Sequence, residues 1–334
     1  ISLGLVGSEM CIRDSYTCDA MNEKKLEIVL ASPRGFCAGV DRAILIVEKA
    51  LQKWGPPIYV RHEIVHNRQV VESLQAQGVI FVEEIEEIPK GAHAIFSAHG
   101  VSPAVRKQAQ EQSLEVVDAT CPLVTKVHGE AQRYRRKDFT ILLIGHADHV
   151  EVQGTMGEAP ERMIVIETVQ DAEKVQLSDP NQVAYLTQTT LSLDDTSEII
   201  KTLKKRFPSI EGPPKDDICY ATQNRQNAVK ELASQVERIL VVGASNSSNT
   251  LRLVEVARAQ GTAARRVEEA SEIERADVEG VNSIGITAGA SAPEDVVQSI
   301  VARLCRLAPQ HSLRELRLVD ENVNFALPAL LRTA

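Results

Sequence analysis

The chain has 334 residues, enough for two or three domains, and its 43% hydrophobic and 25% charged residues are ordinary for a globular protein. Lys and Arg number 37 against 46 Asp and Glu, giving a net charge of −9, and aromatics make up only 4%. These values argue against a nucleic-acid or anionic-membrane partner, and no apolar run of about 18 residues marks a membrane span. Six cysteines, Cys11, Cys18, Cys37, Cys121, Cys219 and Cys305, are too few and too scattered for a disulfide framework. They point to a reducing, cytoplasmic setting.

Residues 1–20 do not resemble the rest. They are read as an artefactual or disordered extension ahead of Met21, and Cys11 and Cys18 go with them. An apolar strand over 26–31 then enters Pro33-Arg34-Gly35-Phe36-Cys37-Ala38-Gly39-Val40, and a helix over 43–51 leaves it. Free backbone N–H groups at that helix start would favour a thiolate at Cys37, although a lone cysteine there is more often a buried structural thiol. Gly55-Pro56-Pro57 breaks the chain before a strand at 58–60 and a polar loop, 61–67, containing His66. A helix to Gln77, a strand at 79–82 and a strand at 94–97 follow, and the loop Ala98-His99-Gly100 opens next. A helix at 103–111 and a strand at 114–117 lead to Asp118-Ala119-Thr120-Cys121-Pro122, where Pro122 suits a first helical position.

That restores the starting arrangement of strand, cysteine and helix. The second pass predicts a helix at 124–135, a strand at 139–144 and the loop 145–151 with His149 and Glu151. Strands at 163–166 and 183–186 lead to Thr187-Gln188-Thr189-Thr190, and an amphipathic helix at 194–207 is stopped by Pro208. The third pass begins at Cys219. It predicts a helix at 226–236, a strand at 238–242, the loop 243–249, a helix to Gln260, and strands at 263–267 and 283–287. The loop 288–293 with Ser291, a helix at 293–307 and a tail strand at 316–319 complete it.

The spacings support a threefold repeat. From cysteine to first polar loop (His66, His149, Ser247) the separations are 29, 28 and 28 residues, and to the second (His99, Thr189, Ser291) 62, 68 and 72. Alternating strands and helices in three units imply three small α/β domains with mainly parallel sheets, whose functional loops gather at the carboxyl ends of strands. The expected division is 21–38 (first strand and cysteine turn, packing with the third domain), 39–120, 121–215, 216–307, and a C-terminal tail over 308–334. A pseudo-threefold trefoil would then bring Cys37, Cys121 and Cys219 to one centre. Three single thiolates from three domains do not fit structural zinc. They would fit a [4Fe–4S] cluster with one iron left open, by analogy with catalytic metal sites. The polar loops supply His66, His99, His149, Glu151, Thr189, Ser247, Ser248, Asn249 and Ser291. With helix-start N–H groups, this set suits a phosphate or diphosphate, although Ser247 and Asn249 could also be plain N-caps. Glu151 is the carboxylate placed to move protons.

These motifs, together with Val65-His66-Asn67, Ser97-Ala98-His99-Gly100 and Ser245 to Asn249, resemble the LytB/IspH family of 4-hydroxy-3-methylbut-2-enyl diphosphate reductases, over about residues 25–328. The resemblance implies a central [4Fe–4S] cluster ligated by Cys37, Cys121 and Cys219. It implies His66, His99, Ser247, Ser248, Asn249 and Ser291 on the substrate diphosphate, with His149 close by. Glu151 and Thr189, beside His149, would relay protons. It also implies ferredoxin or flavodoxin as electron donor, a monomer in the cytoplasm, and the last step of the methylerythritol phosphate route, giving isopentenyl and dimethylallyl diphosphate. A redox-neutral iron–sulfur hydro-lyase on a phosphorylated substrate and a non-enzymatic iron–sulfur sensor are the alternatives.

Overall fold

The computed structural model describes residues 25–332; the extension over 1–20 lies outside them. β1 (Leu26–Ser32) is apolar along nearly its whole length, as a strand covered on both faces must be. The elements then run α1 (Ala38–Trp54), β2 (Ile58–Arg61), α2 (Arg68–Ala76), β3 (Val79–Val82), β4 (His93–Phe96), α3 (Pro103–Glu111) and β5 (Glu115–Asp118). Next come α4 (Pro122–Arg136), β6 (Thr140–Ile144), α5 (Val150–Met156), β7 (Met163–Ile166), α6 (Val169–Lys174), β8 (Val183–Thr187) and α7 (Leu193–Arg206). The last group is α8 (Tyr220–Ala233), β9 (Arg238–Val242), α9 (Ser248–Ala259), β10 (Ala263–Val267), α10 (Arg275–Val278), β11 (Ser283–Ala288), α11 (Glu294–Leu307) and β12 (His311–Arg317).

The strands form three sheets, ordered β3-β2-β4-β5, β7-β6-β8 and β10-β9-β11-β1-β12, and every pairing is parallel. β1 sits in the third sheet, with Glu27 opposite Ser283 of β11 and Leu26 opposite His311 of β12. Helices cover both faces of each sheet. In the second, Ile141 and Leu143 of β6 pack with α4 and α5, while Leu142 and Ile144 pack with α6 and α7. The two-residue alternation of a strand thus feeds two separate cores.

The structure moves several boundaries. α1 begins at Ala38, five residues before the expected start, because Cys37 itself is the N-cap. β12 covers Leu26's partner His311 through Arg317, not 316–319, since its charged, half-exposed residues carry no strand-like apolar run; its pairing with β1 defines it. α5 and α6 replace expected loop. Thr168 and Asp171 form a capping box at the start of α6, a signal present in the sequence.

Candidate functional site

Each sheet directs the loops at the carboxyl ends of its strands towards one cavity of about 110 Å³. Cys37, Cys121 and Cys219 line it, and so do His66, His99, His149, Glu151, Thr189, Ser247, Ser248, Asn249 and Ser291. No expected site residue lies elsewhere.

The three cysteines are built alike. Each is the N-cap of the helix that follows it, α1, α4 or α8. Each backbone N–H donates to a second polar loop: Cys37 to the Ala290 carbonyl (3.2 Å), Cys121 to Ala98 (3.0 Å) and Cys219 to Thr189 (3.0 Å). All three are free thiols. Burial pushes the Cys121 thiol up to about 12 and the Cys219 thiol to about 11, with the neighbouring sulfurs adding to the rise. Left alone, Cys121 and Cys219 stay protonated at neutral pH; a cationic centre beside the cysteines favours thiolates. A Cβ on Gly39 would lie 2.9 Å from Cys121 Sγ and 3.7 Å from Cys37 Sγ, so the first turn of α1 is bare where two sulfurs flank it. Among the described residues no three His, Cys, Asp or Glu side chains gather tightly enough for a single metal ion. Three thiols spaced around a bare cradle fit a polynuclear cluster better than one zinc.

Beside the thiols stand three clustered histidines. The His66 and His99 rings lie 4.2 Å apart and nearly parallel, and His149 meets both edge-on at 5.6 and 6.0 Å. His66 Nδ1 bonds Glu63 (3.1 Å), which also accepts from Asn246 (2.9 Å), and the opposite ring nitrogen, Nε2, is buried with no partner. The bond to His66 holds the Glu63 carboxyl below its ordinary range despite partial burial. His99 is kept far below the usual histidine value by burial, helped by the other rings. Burial likewise lowers His149 to about 4, and its Nδ1 accepts the Glu151 N–H (3.1 Å) as the N-cap of α5. The proton of the neutral His149 ring is therefore on Nε2.

Glu151 is only 4% exposed. Its two oxygens accept from the Thr189 N–H (2.7 Å) and the Thr189 hydroxyl (3.0 Å). Burial raises its pKa and outweighs those two bonds. On the third side of the cavity, Ser247 caps α9, and its Oγ accepts from Thr250 N–H and Oγ1. Ser248 Oγ accepts from Thr190 Oγ1 (3.0 Å), so its own proton is free to donate. Asn249 is buried with both amide atoms unpartnered, which marks a place for a polar ligand.

Three residues beyond the expected set belong to this geometry. Glu63 orients His66; its signal was the i, i+3 spacing within one loop. Thr190 orients Ser248, and Gln188 links Thr190 (3.1 Å) to the His146 N–H (3.2 Å). Both stand in the Thr187–Thr190 motif, but nothing in a row of threonines tells which hydroxyl faces another domain.

A LytB protein family model matches residues 28–305. This chain belongs to the LytB family. The 4-hydroxy-3-methylbut-2-enyl diphosphate reductase of Leifsonia xyli subsp. xyli is 53% identical over 306 residues, 91% of this chain and 90% of its own. The reductase of that name from Neisseria meningitidis serogroup C is 54% identical, with 91% and 95% covered. Among solved structures, the E-1-hydroxy-2-methyl-but-2-enyl-4-diphosphate reductase from Plasmodium falciparum matches with a TM-score of 0.89 at 40% identity, covering 92% of this chain and 97% of its own. LytB membership agrees with three parallel sheets around one cavity, and no helix among the described residues is long and apolar enough to cross a membrane.

Proposed function

We propose that this chain carries out the reaction its relatives are named for, the reductive dehydroxylation of 4-hydroxy-3-methylbut-2-enyl diphosphate, yielding isopentenyl and dimethylallyl diphosphate. The observation that carries the reading is the meeting, in one cavity, of three N-cap thiols, a raised-pKa carboxyl and unpartnered polar groups suited to a diphosphate. Cys37, Cys121 and Cys219 would hold a [4Fe–4S] cluster. Such a cluster supplies two electrons, one at a time, and a Lewis-acidic open iron.

The diphosphate would lie against the N-terminus of α9. There the Ser247, Ser248 and Asn249 side chains and the free N–H groups of the first turn converge. His66 Nε2 and the His99 ring from the first domain, the His149 ring from the second and Ser291 from α9's own domain complete that pocket. Burial keeps the His99 and His149 rings neutral, which avoids repulsion between them before the anion arrives. Glu151 holds a proton more readily than an ordinary glutamate and can pass it through Thr189 Oγ1, the hydroxyl that already bridges it to the cavity. A ferredoxin or flavodoxin would feed a monomeric, cytoplasmic enzyme.

The deciding experiment is anaerobic turnover of the allylic diphosphate with and without a low-potential one-electron reductant. Formation of both five-carbon diphosphates only with reductant is the expected result. Consumption without any reductant would replace the reading with a redox-neutral hydro-lyase.

A further inference from the structure

The cysteine repeat is accompanied by a second repeat, of cations on the helices behind the thiols. Arg42 stands five residues after Cys37, Lys126 five after Cys121 and Arg225 six after Cys219. Each reaches the turn that leads into the next cysteine. Arg42 Nη1 donates to the carbonyls of Ala119 (3.2 Å) and Thr120 (3.1 Å), immediately before Cys121. Lys126 Nζ donates to the carbonyls of Lys215 (2.6 Å) and Asp216 (2.9 Å) and to the buried Asp217 carboxylate (3.1 Å), just before Cys219. Arg225, 0% exposed, donates to the carbonyls of Gly35 (2.7 Å) and Phe36 (3.3 Å), immediately before Cys37, and is paired with Glu321. The circuit runs from Cys37 to Cys121 to Cys219 and back to Cys37.

The peptide group ahead of each cysteine is consequently gripped at both ends. For Phe36–Cys37, Arg225 holds the oxygen and the Ala290 carbonyl holds the N–H. For Thr120–Cys121, Arg42 holds the oxygen and Ala98 the N–H. For Ile218–Cys219, Gln223 Nε2 takes the oxygen (2.6 Å) and Thr189 the N–H, while Lys126 fixes the three residues before it. A planar peptide fixed at oxygen and nitrogen leaves the cysteine Cα little freedom. The contacts from Arg225 and Arg42 to the peptide oxygens are charge-assisted, roughly twice as strong as neutral hydrogen bonds, and so are those of Lys126 to the residues ahead of Ile218.

We propose that Arg42, Lys126 and Arg225 are positioning residues that set the three cysteine-to-cysteine edges of the cluster seat, each fixing the helix behind one cysteine to the turn before the next. The proposal rests on the cluster reading given above. It explains why single cysteines from three domains can hold a cluster that is usually bound by closely spaced ones. No short sequence loop joins the sulfurs, so the cations perform that task.

Lys126 and Arg42 are the residues to change, because both are partly exposed, whereas Arg225 is fully buried and its loss would unfold the domain junction. Lys126→Met and Arg42→Met full chains are reconstituted anaerobically. Iron release to a chelator is followed, and the electron paramagnetic resonance spectrum of the reduced cluster is recorded. Both variants are expected to lose iron about tenfold faster than the parent, the scale on which outer-shell changes act on metal sites. Both should also give broadened spectra, and Lys126→Arg should restore rate and spectrum. Parent-like release and spectra in both methionine variants would overturn the proposal. Iron and sulfide counts on the parent judge the cluster reading separately. If the parent binds none, the ring is still decided by dibromobimane, which fluoresces once both arms are alkylated. Bridging of Cys37 to Cys121 in the parent and its loss in Arg42→Met would sustain the ring; equal bridging in both would remove it.

Discussion

At the scale of single residues, the site turns on giving similar groups different proton affinities. Glu63 and Glu151 are both carboxylates near the histidine cluster. Glu63 is lowered, chiefly by its bond to His66; Glu151 is raised, because burial exceeds what two bonds from Thr189 return. One is suited to fixing a tautomer and the other to delivering a proton. Glu151→Gln keeps the size and the ability to accept from Thr189 N–H, but cannot carry the proton. Turnover is expected to fall by about 100-fold or more, with substrate affinity and iron content near those of the parent; a variant turning over at parental rate would remove Glu151 from proton delivery. Glu63→Gln should act differently. It leaves the proton donor intact and loosens His66, so diphosphate affinity should weaken about tenfold, the size of one charged hydrogen bond, while kcat at saturation changes little. A fall in kcat at unchanged affinity would contradict the orienting role.

At the scale of elements, α5 shows what was legible in the sequence and what was not. The motif that holds His149 and Glu151 was readable, but the helix it opens was not, because seven residues with an internal glycine carry no periodic apolar stripe. That glycine has a packing reason. A Cβ on Gly154 would lie 3.2 Å from the Gly100 carbonyl oxygen, and one on Gly157 would run into Ser102 Cβ, the N-cap residue of α3. The bare side of α5 is what lets the His99–Gly100 turn of one domain approach the helix bearing His149 in the next. Gly157→Ala should therefore destabilise the chain by about 1–3 kcal/mol, the usual cost of overpacking. The denaturant midpoint should shift without a change of slope. A midpoint equal to the parent's would mean the two elements can separate freely. The strands, by contrast, were mostly legible, since β6, β9 and β11 are short apolar runs whose neighbours are polar loops; β12 escaped because its residues are those of an exposed edge.

At the scale of the whole molecule, the matched spacing of three cysteines and six loops made the common cavity readable before any coordinates. The cations that tie the repeats together were not readable in the same way. Lys and Arg occur throughout a surface-rich sequence, and only the fold shows that these three reach backbone carbonyls across a domain. Gathering three histidines from two domains has a consequence for the stability of the entire chain. In the unfolded chain each takes up a proton near pH 6.5. In the ligand-free fold, His149 does so only at about 4, and His99 is displaced in the same direction, burial being the main cause for both. Between those limits the unfolded state binds more protons, so stability present above pH 6.5 is lost as the pH falls. Glu151 acts in the opposite sense: its raised pKa contributes stability at low pH that disappears as pH rises through its folded value, and this blunts the acid loss without reversing two histidines. Between pH 7 and 5.5 the ligand-free protein should lose on the order of 2 kcal/mol, since each fully shifted group contributes up to 1.36 kcal/mol per pH unit. Urea unfolding at the two pH values measures it, and His149→Asn should reduce the slope by about half. Saturating diphosphate should flatten it further, because the bound anion favours the protonated rings that the empty fold resists. An unchanged midpoint from pH 7 to 5.5 would mean that His99 and His149 charge within the fold at no cost, and the neutral state of these two buried rings would have to be abandoned.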